Sequence, residues 1–248
     1  MMKVLRFVPA LLALPALLQA QTLSKRVAGM GDGTLRLSFA SRPGVCGNGA
    51  NSITVMDDND EWQGGCEHGP VRVSLQVKGG KVAEAHTYVG GKWRSPGPAA
   101  TDVGTLPAAG AAADLLDLAE AAPEGGEALI SAATLADSTV IWPRLLELAR
   151  KESVPVETRR QAIFWLGQAA GNAATRGLDS IAGDDRGDIE LRKQAVFALS
   201  QRPEEEGVPV LIQIARSNKY PEIRKSALFW LGQSDDPRAL ALFDELLR

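Results

Sequence analysis

Histidine and cysteine are scarce in this 248-residue chain, two of each: His68, His86, Cys46 and Cys66. A tetrahedral metal knuckle needs close CxxC spacing and about four ligands, and neither Cys46 and Cys66 nor His68 supplies that pattern. No GxSxG elbow is present to raise a nucleophilic serine, and neither histidine has a triad partner that the sequence nominates. Positive charge is not in excess either. With 27 Lys and Arg against 30 Asp and Glu the formal charge is -3, so the chain lacks the basic field that steers nucleic acid. After residue 20 no run of about 18 apolar residues occurs, and no membrane insertion of the mature chain is expected. No metal, cofactor or catalytic residue is expected.

What the chain has instead is repetition. RRQAIFWLGQ at 159–168 returns as RKQAVFALSQ from Arg192 and as RKSALFWLGQ from Arg224. Ala162, Ala195 and Ala227 are spaced by 195 − 162 = 33 and 227 − 195 = 32. Such a period describes helix pairs that bury their apolar faces only by stacking on neighbours. The first helix of each unit carries two basic residues, an alanine and a bulky apolar run, as in Ile163 to Leu166. The second helix is seen where PRLLELA from Pro143 aligns with PVLIQIA from Pro209, which places each proline in a first helical turn. A closing helix is expected over Pro237 to Leu247 behind the cap Asp235 Asp236. Ala128 to Ala136 reads as a degenerate first helix. Phe164, Trp165, Phe197, Phe229 and Trp230 fall at matching positions and are expected to be the large side chains of the stacked core.

The N-terminal half has another texture. Residues 1–20 read as a secretory signal: Lys3 and Arg6 precede an apolar stretch from Phe7 to Leu18, with cleavage after Ala20. Residues 21–106 alternate like short strands, with Leu35, Leu37 and Phe39 in one and Ile53 and Val55 in another. Val71, Val73, Leu75 and Val77 followed by Gly79 Gly80 predict a β-hairpin over 71–89. Both cysteines lie in this module, so in an oxidising compartment a Cys46–Cys66 disulfide is expected, stabilising by about 3 kcal/mol on the chain-entropy model. Ser95 to Pro98 reads as a linker, and 107–139 as a helical linker or degenerate first repeat, with Leu115, Leu116, Leu118 and Ala119 as its apolar stripe. Residues 140–248 hold the repeats.

The repeat resembles the HEAT family, in particular its short bacterial variety of phycobilisome-lyase type. The resemblance rests on R..A at Arg159 to Ala162, Arg192 to Ala195 and Arg224 to Ala227, and on Leu166 Gly167 and Leu231 Gly232, with Leu199 Ser200 between them. It covers about residues 140–248. The module at 21–106 resembles the companion region of secreted bacterial HEAT-repeat proteins of unassigned role. The resemblance implies an α+β chain, a right-handed α-solenoid of HEAT-like helix pairs behind a small β-rich module, with the second helices lining the concave side. It does not carry the lyase activity, which belongs to pigment attachment inside photosynthetic cells. Nor does it carry iron-dependent hydroxylation, since His68 and His86 both precede the repeats. A calcium loop at Asp57, Asn59 and Glu61 fails where Trp62 replaces the required glycine and His68 holds the twelfth place.

These readings point to a non-enzymatic scaffold, periplasmic or secreted, that binds a protein partner through the solenoid surface. Arg150 and Arg216, at matching helix ends, and Trp165 and Trp230 are the candidate partner contacts. The alternatives are a ligand, metal or catalytic site in the module around Trp62, His68, His86 and Trp93, and a redox switch at Cys46 and Cys66.

Overall fold

The computed structural model describes residues 22–50, 52–55, 66–92, 100–169 and 171–248. The signal at 1–20, Trp62, Trp93, the acidic loop at 57–61 and the linker at 95–98 lie outside the described residues.

Alternation builds the sheet. In β1 (Gly33–Phe39) every second residue, Leu35, Leu37 and Phe39, is fully buried. β4 (Val71–Lys78) sets Leu75, Val73 and Val71 directly opposite them in antiparallel register. β4 turns into β5 (Lys81–Tyr88) through Gly79 and Gly80, whose φ of 55° and 73° suit glycine and a hairpin of primed type. β6 (Ala100–Thr105) adds to β1 in parallel, giving the order β5-β4-β1-β6. A small second sheet pairs β2 (Val45–Gly47) with β3 (Ile53–Val55). The Cys46–Cys66 disulfide, Cα atoms 5.3 Å apart, closes this loop region beside the Gly47 to Glu67 bridge.

Two elements of the module escape the period-two reading. α1 (Leu23–Gly29) is a helix inside a stretch read as strands and turns; it buries only Leu23 and Val27, one turn of signal. The Leu23 N–H donates to Asp114 at 3.1 Å, which fastens α1 to the next helix. β6 carries a single large apolar residue, Val103, and exists by pairing with β1 rather than by its own propensity.

The helices follow: α2 (Ala108–Ala121), α3 (Gly126–Ala133), α4 (Trp142–Arg150), α5 (Val156–Gln168), α6 (Asn172–Ala182), α7 (Ile189–Ser200), α8 (Glu204–Ser217), α9 (Pro221–Leu231) and α10 (Pro237–Leu246). They stack in two layers, α3, α5, α7 and α9 in one and α2, α4, α6, α8 and α10 in the other. The chain is therefore α+β, a sheet module followed by a helical solenoid. α3 packs on β5, α1 packs on α2, and one continuous core runs from Leu23 to Leu242.

Two expectations about the helices are corrected. Pro209 does not stand in a first turn: α8 begins at Glu204, with Glu204, Glu205 and Glu206 in its first turn, so Pro209 lies inside the helix. Acidic groups favour a helix N-terminus, and the turn they form precedes the aligned segment; Pro143, by contrast, is at the start of α4. The aromatics border the core rather than fill it, Trp165 and Trp230 packing against it. Phe164 is 36% and Phe229 57% exposed, while Trp165, Phe197 and Trp230 are half-buried. The inward face is Ala162, Ile163 and Leu166, with Ala195, Val196 and Leu199 as its next copy. Positions i, i+1 and i+4 share a helix face, and i+2 points away from it.

Arginine holds the stack. Arg159 donates to the carbonyl of Ala149 at 3.0 Å, Arg192 to that of Ala182 at 3.1 Å, and Arg224 to that of Asn218 at 2.7 Å. Each recurring arginine thus satisfies an orphan carbonyl at the C-terminal end of the preceding helix. Arg192 is 2% exposed and also lies 4.0 Å from the Tyr220 ring centroid. Carboxylates complete the ties. Glu120 is held below its ordinary value by hydrogen bonds from Lys151 and Arg144, Glu206 by Thr175 and Arg202, and Asp236 by Arg238.

A lowered carboxylate pKa in the folded state means that the unfolded chain binds protons first. The stabilisation is complete above the ordinary values, 4.5 for Glu and 3.8 for Asp, and is lost as pH falls through the folded values. The urea midpoint is expected to fall as pH drops from about 5 to about 3, and Glu206→Gln to flatten that fall. Equal slopes in both proteins would remove Glu206 from the account. Packing gives a second test. A Cβ at Gly207 meets the Leu199 carbonyl oxygen, whereas one at Gly110, exposed in α2, meets nothing. Gly207→Ala should destabilise by about 1–3 kcal/mol and Gly110→Ala stabilise by about 0.5–1 kcal/mol in equilibrium unfolding.

Candidate functional site

Where two successive first-layer helices meet the start of the second-layer helix between them, the stack leaves an inter-repeat cleft. Three such places occur along the solenoid, built from equivalent positions and filled differently.

The first lies between the C-terminal ends of α3 and α5 and the start of α4, and encloses about 700 Å3. Trp142, Phe164 and Trp165 supply its aromatic wall, and Val140, 76% exposed, and Val55 its rim. Arg42 comes from the sheet module. The junction that brings it there is backbone hydrogen bonding: the Arg42 N–H donates to Leu135 at 2.8 Å and the Asp137 N–H to Ala40 at 3.0 Å, so residues 40–42 run beside the turn after α3. Arg42 is the one charged side chain among the described lining residues. Arg42 Nε and Trp165 Nε1 are shielded from solvent and have no hydrogen-bond partner among the described residues. An unpaired buried donor costs about 1–3 kcal/mol.

The third cleft sits between α7, α8 and α9 and encloses about 260 Å3. Its register matches the first: Leu211 with Leu145 and Ser200 with Thr134 are 66 apart (211 − 145, 200 − 134), and Trp230 with Trp165 and Gln233 with Gln168 are 65 apart (230 − 165, 233 − 168). A local difference accompanies the difference in size. Phe197 of α7 lies 4.9 Å from the Trp230 ring and covers it, and the corresponding residue of α3 is Ser131 (197 − 66). Among the described rings Trp165 keeps only its own neighbour Phe164, edge-on at 5.3 Å.

The middle place is filled by Arg202, 7% exposed. It donates to the carbonyls of Gly167 at 3.1 Å, Gly171 at 3.3 Å and Ala169, and pairs with Glu206 at 2.6 Å. Thr175 receives its Nε–H at 3.0 Å and donates to Glu206 at 2.7 Å. Every polar group of that plug is answered.

Of the expected partner contacts, Trp165 lines the first cleft and Trp230 the third. Arg150 and Arg216 are elsewhere, on the second layer, and each reaches the next helix of that layer: Arg150 donates to Ser180 of α6 and Arg216 pairs with Glu245 of α10. They stay largely exposed ties, and exposed pairs contribute about 0–1 kcal/mol. In the module, His68 Nδ1 lies 3.0 Å from the Val45 carbonyl, and His86, opposite Ser74, lies 3.5 Å from Glu84. No group of three or more His, Cys, Asp or Glu placed to hold a metal exists among the described residues. No described helix is long and apolar enough to cross a membrane.

Sequence reading missed Arg42, Trp142 and Arg202. Trp142 was visible as the residue before an aligned proline. Arg42 and Arg202 carry no local signal, since their places depend on contacts made across about 93 and 31 residues of chain respectively (135 − 42, 202 − 171).

A family model of HEAT repeats matches residues 183–248, which hold α7 to α10. No curated protein and no solved structure matches the chain. The C-terminal repeats are similar to HEAT repeats.

Proposed function

We propose that the chain is an exported, non-enzymatic scaffold that binds a protein partner through the solenoid surface. The observation that carries the reading is the row of aromatic side chains left partly exposed at equivalent repeat positions: Phe164, Trp165, Phe197, Phe229 and Trp230. Aromatic residues are over-represented where proteins bind one another, because they remove much apolar area at small entropic cost. HEAT repeats commonly serve protein interaction, which fits the same reading. The signal read at residues 1–20 and the Cys46–Cys66 disulfide support a periplasmic or secreted location, and the R..A and Leu-Gly text of the repeats supports the bacterial, phycobilisome-lyase-type variety. Arg150, Arg216, Trp165 and Trp230 are the proposed contacts. A ligand or metal site at His68 and His86 is the weaker reading, because His68 is engaged with Val45 and the two lie on separate segments of the module.

A photoreactive phenylalanine analogue at Phe164 or Phe229 should cross-link one discrete partner in the envelope of the producing cell, and the same analogue at Arg186 should not. Reversing Arg150 and Arg216 to Glu should lower the yield. Equal labelling at all three positions contradicts the surface. The intact mass of the exported protein should correspond to a chain beginning at Gln21 with two hydrogens fewer than its reduced form; a soluble chain retaining residues 1–20 contradicts export.

A further inference from the structure

We infer that the first inter-repeat cleft is the place where the partner docks, and that its occupant is a peptide segment bearing an aromatic or large aliphatic side chain next to a carboxylate. The inference rests on the scaffold reading and adds to it a site and a recognition chemistry. Both halves come from what fills the equivalent places elsewhere in the same solenoid.

At the third cleft the tryptophan face is covered by Phe197. At the first, Ser131 stands at that position, and Trp165 with Trp142 and Phe164 is left facing about 700 Å3. That volume falls in the range of about 300–1,000 Å3 typical of ligand-holding pockets. An inserted aromatic side chain would remake the contact that Phe197 makes with Trp230. In the middle place the arginine is matched by Glu206. In the first, Arg42 is the one charged side chain among the described lining residues, with no carboxylate beside it there. An Asp or Glu of the partner supplies the opposite charge to the guanidinium that lines the cleft. Ala169 occupies behind α5 the place that Arg202 occupies behind α7 (202 − 169 = 33), so among the described residues no arginine plugs the cleft from that side.

The test selects a phage-displayed library of random peptides on the oxidised mature protein, and measures one enriched peptide by fluorescence anisotropy. Enriched peptides are expected to place Phe, Trp or Leu beside Asp or Glu. Arg42→Gln and Trp165→Ala should each weaken binding about 30-fold. Ala169→Arg, which supplies the plug found in the middle place, should abolish binding while the thermal unfolding curve stays cooperative. Arg186→Glu, on an exposed turn that is not part of the cleft lining, should leave the peptide affinity unchanged. Enriched peptides that are basic or lack large apolar residues overturn the recognition chemistry. Binding that survives Ala169→Arg but is lost in the Arg150, Arg216 variant overturns the cleft and leaves the scaffold reading standing. A selection that enriches nothing overturns both.

Discussion

A helix pair of this length cannot bury its own apolar faces, and the rest of the molecule is organised by that constraint. Ala162, Ile163 and Leu166 are buried only because α3 lies on one side of α5 and α7 on the other. The same demand at the first helix is met by the sheet module, whose β5 packs on α3 and whose residues 40–42 join the turn behind it. The disulfide then secures the loops of the module that does the covering. Arg159, Arg192 and Arg224 add direction to the stack: each answers a carbonyl at the end of the preceding helix, so a repeat in the wrong register would leave a buried polar group unpaired. Apolar burial supplies the drive and arginine the specificity.

The clefts of the array differ through departures from the repeat. Successive units give three equivalent places between first-layer helices, and a few residues decide their fate. Arg202 with Glu206 fills one, Phe197 narrows another, and Ser131 with Ala169 leaves the first open where Arg42 enters from the module. The open place is also where two architectures meet, so its walls combine side chains that neither the sheet nor the solenoid would assemble alone. That location explains why the cleft is aromatic and singly charged: the repeat contributes the tryptophans and the module the arginine.

The repeat was legible because a period of 32 or 33 residues states the packing problem and its solution together. The hairpin at β4 and β5 has strict alternation and a glycine pair whose positive φ the turn requires. The disulfide followed from two cysteines in one small module. Other features were hidden for physical reasons. α1 offers one apolar turn and β6 one valine, so both depend on neighbours brought from elsewhere in the chain. Aligning Pro209 with Pro143 recovered the repeat but misplaced the helix start, because the extra acidic turn of α8 stands outside the repeated text. The aromatics were assigned to the core on size, whereas helical phase turns Phe164 away from Ala162 and leaves Trp165 at the edge of the buried face. Of the four expected contacts, two aromatic ones line clefts and two arginines tie second-layer helices; the chemistry of Arg42 and Arg202 was not readable, since nothing local marks either.

The central claim is that module and solenoid share one core, with the module closing the first repeat and completing the cleft. Native-state hydrogen exchange of the Arg42 and Asp137 amides tests it most directly, since those two N–H groups form the backbone junction between the two parts. The account predicts that both are protected to the same free energy as the amides of β4 and α5 and are lost in the same cooperative unfolding. Exchange at the rate of an exposed loop, with β4 and α5 opening independently, would contradict it.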